Sequence, residues 1–188
     1  MANEMVNVMN NDLFEAAKYG YIENVERLLD EGANINFNRY GTTALMISST
    51  NNYTEIVKLL GRESEIDLQD NGGWTALMMA SLNGHMETAQ ILLDYNALPN
   101  IIDDNGETAL ILASMMGHPD IVELLLNKGA NINIVNDDGD MALDIAVVNG
   151  NTDIVEILNR HNASSNIQRR FRGNQIRRRP TRRTLKAK

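Results

Sequence analysis

A short motif recurs along the chain at a nearly constant spacing, and this repetition constrains the fold more than any other feature. The motif occurs as GTTALMIS (41–48), GWTALMMA (73–80), GETALILA (106–113) and GDMALDIA (139–146). Its leucines, Leu45, Leu77, Leu110 and Leu143, are separated by 32, 33 and 33 residues, and Leu13 precedes the first of them by 32. Such a period predicts a solenoid of stacked units in place of one globular core.

Each unit contains signals for a turn, a helix, a short turn and a second helix. Glycine recurs before the first helix and between the two helices, where a residue without a Cβ suits a tight turn. Thr43, Thr75 and Thr108 precede first helices and can cap them through their hydroxyl oxygens. Leucine-rich segments such as IVELLLNKGANIN supply the second helices. We expect these helices to end in left-handed caps at glycines such as Gly129, with Asn96 in the equivalent role.

These residues resemble the ankyrin repeat, whose consensus runs roughly G-x-T-P-L-H-x-A, then G-H, then a leucine-rich helix and G-A-D-V-N. The clearest match is GETALILASMMGHPDIVELLLNKGANIN, and the resemblance covers about residues 10–162. It implies an all-α ankyrin-repeat solenoid of about five helix-turn-helix repeats with β-turn tips. We expect a repeat domain over residues 1–162 and a basic tail over 163–188. The repeats are predicted at about 10–38, 39–70, 71–103, 104–136 and 137–162.

The sequence departs from the ankyrin consensus at several positions. Alanine replaces the consensus proline throughout, and the consensus histidine is replaced by Met46, Met78, Ile111 and Asp144. Hydrogen bonds that this histidine supports in the family are therefore expected to be missing, and the methionines are expected in the core. Glu63-Ser64 stands where a glycine cap belongs, which predicts the least stable joint. The first and fifth repeats are expected to act as caps with a polar outer face.

No residue pattern predicts catalysis, a metal or a cofactor. The chain has no cysteine, which excludes disulfides and thiolate sites, and it carries no nucleotide-binding, hydrolase or zinc-protease motif. His85 and His118 are expected about 10 Å apart on neighbouring repeats, too far to share one zinc ion. DDNG (103–106) and NDDGD (136–140) lack the spacing of a calcium loop, and turn chemistry explains them better. The prediction is a protein that is not an enzyme.

A row of exposed positions is expected to contact a partner. The resemblance implies contacts beside the turn glycine and just before the glycine between the helices, on a concave face. Aromatic and apolar residues dominate the first repeats, whereas the fourth and fifth present carboxylates suited to a basic partner segment. Packing of Trp74 on a neighbouring turn, and a solvated acidic edge, remain alternatives. The predicted partner-binding residues are Tyr19, Arg39, Tyr40, Trp74, Leu82, Asp104, Glu107, Met115, Met116, Asp137, Asp138 and Asp140.

Charge divides the chain into an acidic body and a basic tail. Residues 1–160 hold 25 acidic and 7 basic residues, whereas residues 161–188 hold ten basic residues and no acidic one. The tail has too few apolar residues to form a core, which predicts disorder. Nuclear import, nucleic-acid binding and docking on the acidic body are its three candidate uses. The arginines concerned are Arg169, Arg170, Arg172, Arg177, Arg178, Arg179, Arg182 and Arg183.

The predicted function is non-catalytic protein–protein interaction, with nucleic-acid binding through the tail as the alternative. No run approaches the ~18 apolar residues that a membrane span needs, and the N-terminal residues lack the features of a secretory signal. A monomer in the cytoplasm, the nucleus or both is therefore expected. Abundant asparagine and isoleucine with little proline resembles ankyrin proteins from AT-rich genomes, including large DNA viruses and intracellular bacteria. The partner would then belong to a host.

Overall fold

The computed structural model describes residues 2–163 and contains five successive helix pairs. A two-residue hairpin, Tyr40-Gly41, joins β1 to β2, with Asn38 opposite Thr43 and Arg39 opposite Thr42. The elements are α1 (Ala2–Tyr19), α2 (Ile22–Asp30), β1 (Asn38–Arg39), β2 (Thr42–Thr43), α3 (Ala44–Thr50), α4 (Thr54–Gly61), α5 (Ala76–Leu82), α6 (Met86–Asp94), α7 (Ala109–Met116), α8 (Pro119–Asn127), α9 (Ala142–Val148) and α10 (152–163).

The helices form two layers. The first helices of successive repeats pack in the order α1, α3, α5, α7 and α9, and the second helices α2, α4, α6 and α8 pack beside them. One continuous apolar core runs through the stack. The motif leucines Leu45, Leu77 and Leu110 are buried in it, and Leu143 of the last repeat is half-buried. The prediction of an all-α stack of helical repeats is confirmed.

Helices α3, α5 and α7 begin where the sequence predicts, because threonine caps them. The hydroxyl oxygens of Thr43 and Thr75 accept hydrogen bonds from the backbone N–H groups of Met46 and Met78, at 3.3 and 3.2 Å. Thr108 caps α7 in the same way, at 3.3 Å. These bonds satisfy backbone donors that the first turn of a helix would otherwise leave free.

At the consensus-histidine position, other side chains accept hydrogen bonds in place of those expected to be missing. The thioether sulfurs of Met46 and Met78 accept from the N–H groups of Thr43 and Thr75, at 3.4 and 3.5 Å. In the fifth repeat, the Asp144 carboxylate accepts from the Met141 N–H at 3.0 Å. Both methionines are also fully buried, as predicted. Methionine therefore fills the core and serves as a weak acceptor at the same position.

The two histidines tie neighbouring repeats together. The ring nitrogens Nε2 of His85 and His118 lie 2.9 and 3.0 Å from the carbonyl oxygens of Thr50 and Leu82 in the preceding repeat. They occupy the N-cap positions of α6 and α8, which confirms their interpretation as helix-start residues. Each histidine therefore joins the end of one first helix to the second helix of the next repeat.

Left-handed residues end and separate the helices. Asn96 ends α6 with a φ of 68°, as predicted. Asn52, between α3 and α4, has a φ of 60° and takes the place that glycine holds in the other repeats. Asparagine tolerates this conformation better than other residues with a side chain. The recurrence of glycine in the other repeats does not by itself indicate this role for Asn52.

The end of the second repeat differs from the others. The Ser64 hydroxyl is buried without a hydrogen-bond partner. Tyr95 of the next repeat braces this end, because its ring packs on Gly61 and its hydroxyl donates to the Lys58 carbonyl at 3.3 Å. The low stability expected of the Glu63-Ser64 joint stays a prediction.

Candidate partner-binding surface

An acidic or amide side chain holds each turn in shape. The Asp103 carboxylate accepts from the N–H groups of Asn105 and Glu107, at 2.9 and 2.8 Å, and Asp70 accepts from Gly72 and Trp74 in the same way. The Asn136 amide oxygen accepts from the Asp140 N–H at 2.9 Å. Turn chemistry therefore explains the DDNG and NDDGD segments.

These supporting residues were missed in the sequence, although a signal for them exists. Asn38, Asp70, Asp103 and Asn136 each stand three residues before the turn glycine. Asn38 matches the others in role, because its side-chain oxygen accepts from the Gly41 N–H at 2.6 Å. The recurrence of Asn or Asp at this offset predicts a side-chain-capped turn in every repeat after the first.

Hydrogen bonds join each turn to the next one. The Asn71 amide donates to the Tyr40 carbonyl at 3.3 Å, and the Asp104 N–H donates to the Gly72 carbonyl at 3.0 Å. The Asp137 N–H donates to the Asn105 carbonyl at 2.9 Å. The turns are thus held in fixed register. We call their predicted partner-binding residues the tip row: Arg39, Tyr40, Trp74, Asp104, Glu107, Asp137, Asp138 and Asp140.

Tyr40 is the most prominent residue of the tip row. Its side chain is 88% exposed, and its φ is 56°, followed by 95° at Gly41. Two consecutive positive φ angles in a two-residue hairpin are what a type I′ turn requires, and Asn-Gly is its preferred pair. A tyrosine in this conformation is uncommon and strained. The hairpin therefore holds an aromatic ring in solvent at a cost to stability.

Arg39 anchors the hairpin to the first repeat. Its guanidinium forms an ion pair with Glu15 of α1. The guanidinium carbon also lies 5.3 Å from the centre of the Phe14 ring and 5.6 Å from the centre of the Tyr40 ring. Both distances are suitable for cation–π attraction. Arg39 thus links the exposed tyrosine to α1 and limits how far its ring can move.

The remaining aromatic and apolar residues divide between exposed and half-buried positions. Tyr19, with Lys18 5.1 Å from its ring centre, and Met116 are exposed at the ends of α1 and α7. Trp74 is half-buried, rests on the core and lies against Gly72. Leu82 and Met115 are also half-buried. Trp74 therefore has a packing role on the core and on its own turn as well as an exposed portion.

The acidic residues of the tip row lie close enough to influence one another. Asp104, Asp137 and Asp138 are exposed, whereas Glu107 and Asp140 are half-buried. Burial raises the pKa of Glu107, and the negative charges of Asp103 and Asp138 raise it further. The contribution of these two charges to the raised pKa indicates a negative potential at this end of the tip row.

Replacing Glu107 with glutamine is expected to stabilise the protein at pH 7 by less than about 1 kcal/mol. Because the pKa of Glu107 is raised in the folded state, the folded protein favours the protonated carboxyl group. The stabilisation from this group is complete below the unfolded-state pKa and is lost as the pH rises through the folded-state pKa, where the carboxylate forms. The gain should therefore vanish in acid. Urea unfolding at neutral and acidic pH measures it, with Glu26→Gln on the exposed face of α2 as control. An equal gain at both pH values would contradict this electrostatic cause.

The tail arginines, from Arg169 to Arg183, lie outside the described residues. Within residues 2–163, no group of three or more His, Asp or Glu side chains is placed to hold a metal ion. No helix in this part of the chain is long and apolar enough to cross a membrane.

The family description "Ankyrin repeats (3 copies)" matches residues 13–103, 59–136 and 96–169. The chain belongs to the ankyrin-repeat family. Ankyrin repeats are in general protein–protein interaction modules and are typically non-catalytic. The matched ranges together include every helix from α2 to α10, and with them the whole tip row.

Individual relatives share only a short stretch with this ankyrin-repeat chain. It is 33% identical over 85 residues, 43% of its length, to human transient receptor potential cation channel subfamily A member 1. It is 32% identical over 87 residues, 45% of its length, to glycerophosphocholine phosphodiesterase GDE1 of Candida albicans. It is 33% identical over 93 residues, 47% of its length, to ankyrin repeat and KH domain-containing protein mask-1 of Caenorhabditis elegans. The chain spans 8%, 8% and 4% of these relatives.

Proposed function

We propose that this chain is a non-catalytic recognition module that binds one protein partner along the tip row and the adjoining ends of the first helices. The observation that carries the proposal is the exposed, left-handed Tyr40. An unfavourable backbone conformation that presents a large ring to solvent has no evident value for folding. Tyrosine is among the residues most enriched at the energetic centres of protein interfaces.

The shape of the surface supports the same proposal. The hydrogen bonds between successive turns hold the tips in register before a partner arrives. A surface that is already ordered loses little conformational entropy on binding, which favours affinity. Arg39 adds to this by restraining the Tyr40 ring.

The charge along the tip row indicates the chemistry of the partner. Its first part presents Tyr40 and the exposed portion of Trp74, and its last part presents Asp104, Asp137 and Asp138. A partner segment with an apolar or aromatic residue at one end and lysine or arginine at the other would match both parts. We infer that the partner presents an extended basic peptide. We also infer that this chain acts as a monomer, in the cytoplasm or the nucleus.

Selection of a random-peptide display library on the full chain tests this function. We expect enrichment of basic peptides that retain binding at about 0.3 M salt, where purely electrostatic contacts are screened. Tyr40→Ala/Trp74→Ala should reduce recovery at least about tenfold, as loss of central interface aromatics does. Met86→Ala/Leu98→Ala, at exposed apolar positions away from the tip row, is the control. Equal recovery by both double variants would contradict the proposed surface.

Nucleic-acid binding through the tail is the second candidate, favoured by its ten basic residues and no acidic one. The acidic body opposes it, because 25 carboxylates repel phosphate. A chain ending at Ala163 and the full chain can be compared on immobilised RNA and DNA at ~150 mM salt. Retention of the full chain alone would support this second activity, and equal elution of both would exclude it.

A further inference from the structure

The turns that carry the tip row follow one another at a regular distance along the stack. Within a turn, two chain segments are joined by a backbone hydrogen bond, such as that from the Asp103 N–H to the Glu107 carbonyl at 3.0 Å. Neighbouring turns are joined as well, because the Asp104 N–H donates to the Gly72 carbonyl at 3.0 Å. Hydrogen-bonded segments lie about 4.8 Å apart, so two segments per turn place equivalent residues of successive repeats about 9.6 Å apart. This agrees with the 8–10 Å, roughly, between packed helices.

The tip row presents its exposed groups at this same interval. Asp104 and Asp137 each stand two residues before a turn glycine in consecutive repeats, and both side chains are exposed. Tyr40, which is 88% exposed, and the exposed portion of Trp74 belong to the two preceding turns. Four consecutive turns therefore offer two aromatic rings followed by two carboxylates. A single partner segment that contacts all four must repeat every ~9.6 Å.

Among regular backbone conformations, polyproline II matches this interval best. It has three residues per turn and rises about 3.1 Å per residue, so the same face returns every ~9.3 Å. Over the three repeat steps from Tyr40 to Asp137, the accumulated mismatch is about 1 Å. In a β-strand, residues three apart span about 10 Å but point to opposite faces. An α-helix returns the same face after about 10.5 Å, and its mismatch over the same three steps is about 3 Å.

The chemistry of the four positions favours the same conformation. Proline-rich segments in the polyproline II conformation dock on aromatic side chains, and their restricted backbone loses little entropy on binding. Tyr40 and Trp74 are suited to such contacts, whereas Asp104 and Asp137 are suited to lysine or arginine. The equivalent residue of the third repeat is Asn71, which has no charge, so the preference for a basic side chain begins at the fourth repeat.

We infer that the partner binds as a polyproline II segment with one recognition residue at every third position. Proline or another apolar residue contacts Tyr40, and a second contacts Trp74. Lysine or arginine follows against Asp104 and then against Asp137. The segment spans about ten residues, and the pattern fixes the order of its contacts rather than its chain direction. This inference rests on the proposed function, because it specifies the partner of the same tip row.

The spacing of basic residues in peptides selected on the full chain tests the inference. The relevant peptides are those whose recovery is lost with Tyr40→Ala/Trp74→Ala. Among them, two basic residues three positions apart should be at least about threefold more frequent than two basic residues two or four positions apart. That factor corresponds to the contribution of one exposed charge pair.

Permuted peptides of identical composition test the register directly. The tightest selected peptide should bind the full chain at least about threefold more tightly than a version with its outermost basic residue moved one position. Asp137→Asn should abolish this difference, because it removes the carboxylate that contacts the outermost basic residue. Asp153→Asn, which removes an exposed carboxylate of α10 away from the tip row, should preserve it. Fluorescence anisotropy measures the affinities, and circular dichroism verifies that both variants are folded.

Several results would overturn the inference and leave the recognition function in place. A preferred spacing of two or four positions would indicate a β-strand, and a spacing of seven would indicate an α-helix. Equal binding of the original and permuted peptides would show that net charge alone determines the contact. A difference that persists in Asp137→Asn would show that another group makes it. In each case, binding would still depend on Tyr40 and Trp74, whereas selected peptides that bind without these two residues would contradict the proposed surface itself.

Discussion

Replacing Gly73 with alanine is expected to lower the free energy of unfolding by about 3 kcal/mol. One part of this loss comes from the backbone, because Gly73 has a φ of 81° and a residue with a Cβ pays about 1–2 kcal/mol there. The larger part is steric. An added Cβ would lie 2.8 Å from the Asp103 Cα and 2.9 Å from the Asp104 nitrogen. Overpacking of this kind costs typically about 1–3 kcal/mol.

The clash at Gly73 is with backbone, so it cannot be relieved by a rotamer change. The Asp104 N–H is held at 3.0 Å from the Gly72 carbonyl, and the Asp103 carboxylate fixes the shape of its own turn. Separating the two turns would break the hydrogen bond that keeps the tip row in register.

Gly139→Ala is the matched control for this prediction. Gly139 occupies the same turn position with a φ of 85°, but an added Cβ there meets no atom within 4 Å. Its expected loss is about 1 kcal/mol, from the backbone alone. Urea unfolding followed by circular dichroism measures both variants. Equal losses would show that the close approach of neighbouring turns does not contribute to stability.

The regular parts of this fold could be predicted from the sequence because each repeat carries its own local signals. The threonine caps and Asn96 depend on residues within one turn of one another, and the leucines mark the same helix position in each repeat. The burial of Met46 and Met78 follows from the same periodicity. In a solenoid, each repeat contacts only its neighbours, so local signals determine most of the architecture.

The features that could not be predicted depend on contacts between turns or on the ends of the stack. Trp74 is half-buried because of where its indole lies on the turn and core, which the motif does not encode. The positive φ of Tyr40 could not be predicted, because Gly41 beside it already supplies the glycine that a turn requires. Helix α1 begins at Ala2, whereas the first repeat is predicted to begin at about residue 10. The sequence does not predict the earlier start because the residues before 10 lack the repeat motif. Val147 is exposed because no further repeat packs on α9 among residues 2–163.

Tyr40→Asn is expected to separate stability from binding. Asn-Gly is the preferred pair for a type I′ turn, and asparagine adopts a positive φ more easily than tyrosine. The variant should therefore unfold at a higher urea concentration, with a gain of about 0.5–1 kcal/mol. The same change removes the ring that is 88% exposed at the tip. The dissociation constant of a peptide selected on the full chain should rise about thirtyfold, corresponding to about 2 kcal/mol for a central interface aromatic.

Tyr40→Phe keeps the ring and should bind within about threefold of the parent. Because Tyr40→Asn is expected to be more stable than the parent, its loss of binding could not be attributed to unfolding. Unchanged affinity in Tyr40→Asn would show that the partner does not contact the ring. Lower stability in that variant would instead show that the tyrosine is retained for the hairpin, through its contact with Arg39. A gain in stability together with a loss of affinity is the signature of a residue maintained for recognition at the expense of folding.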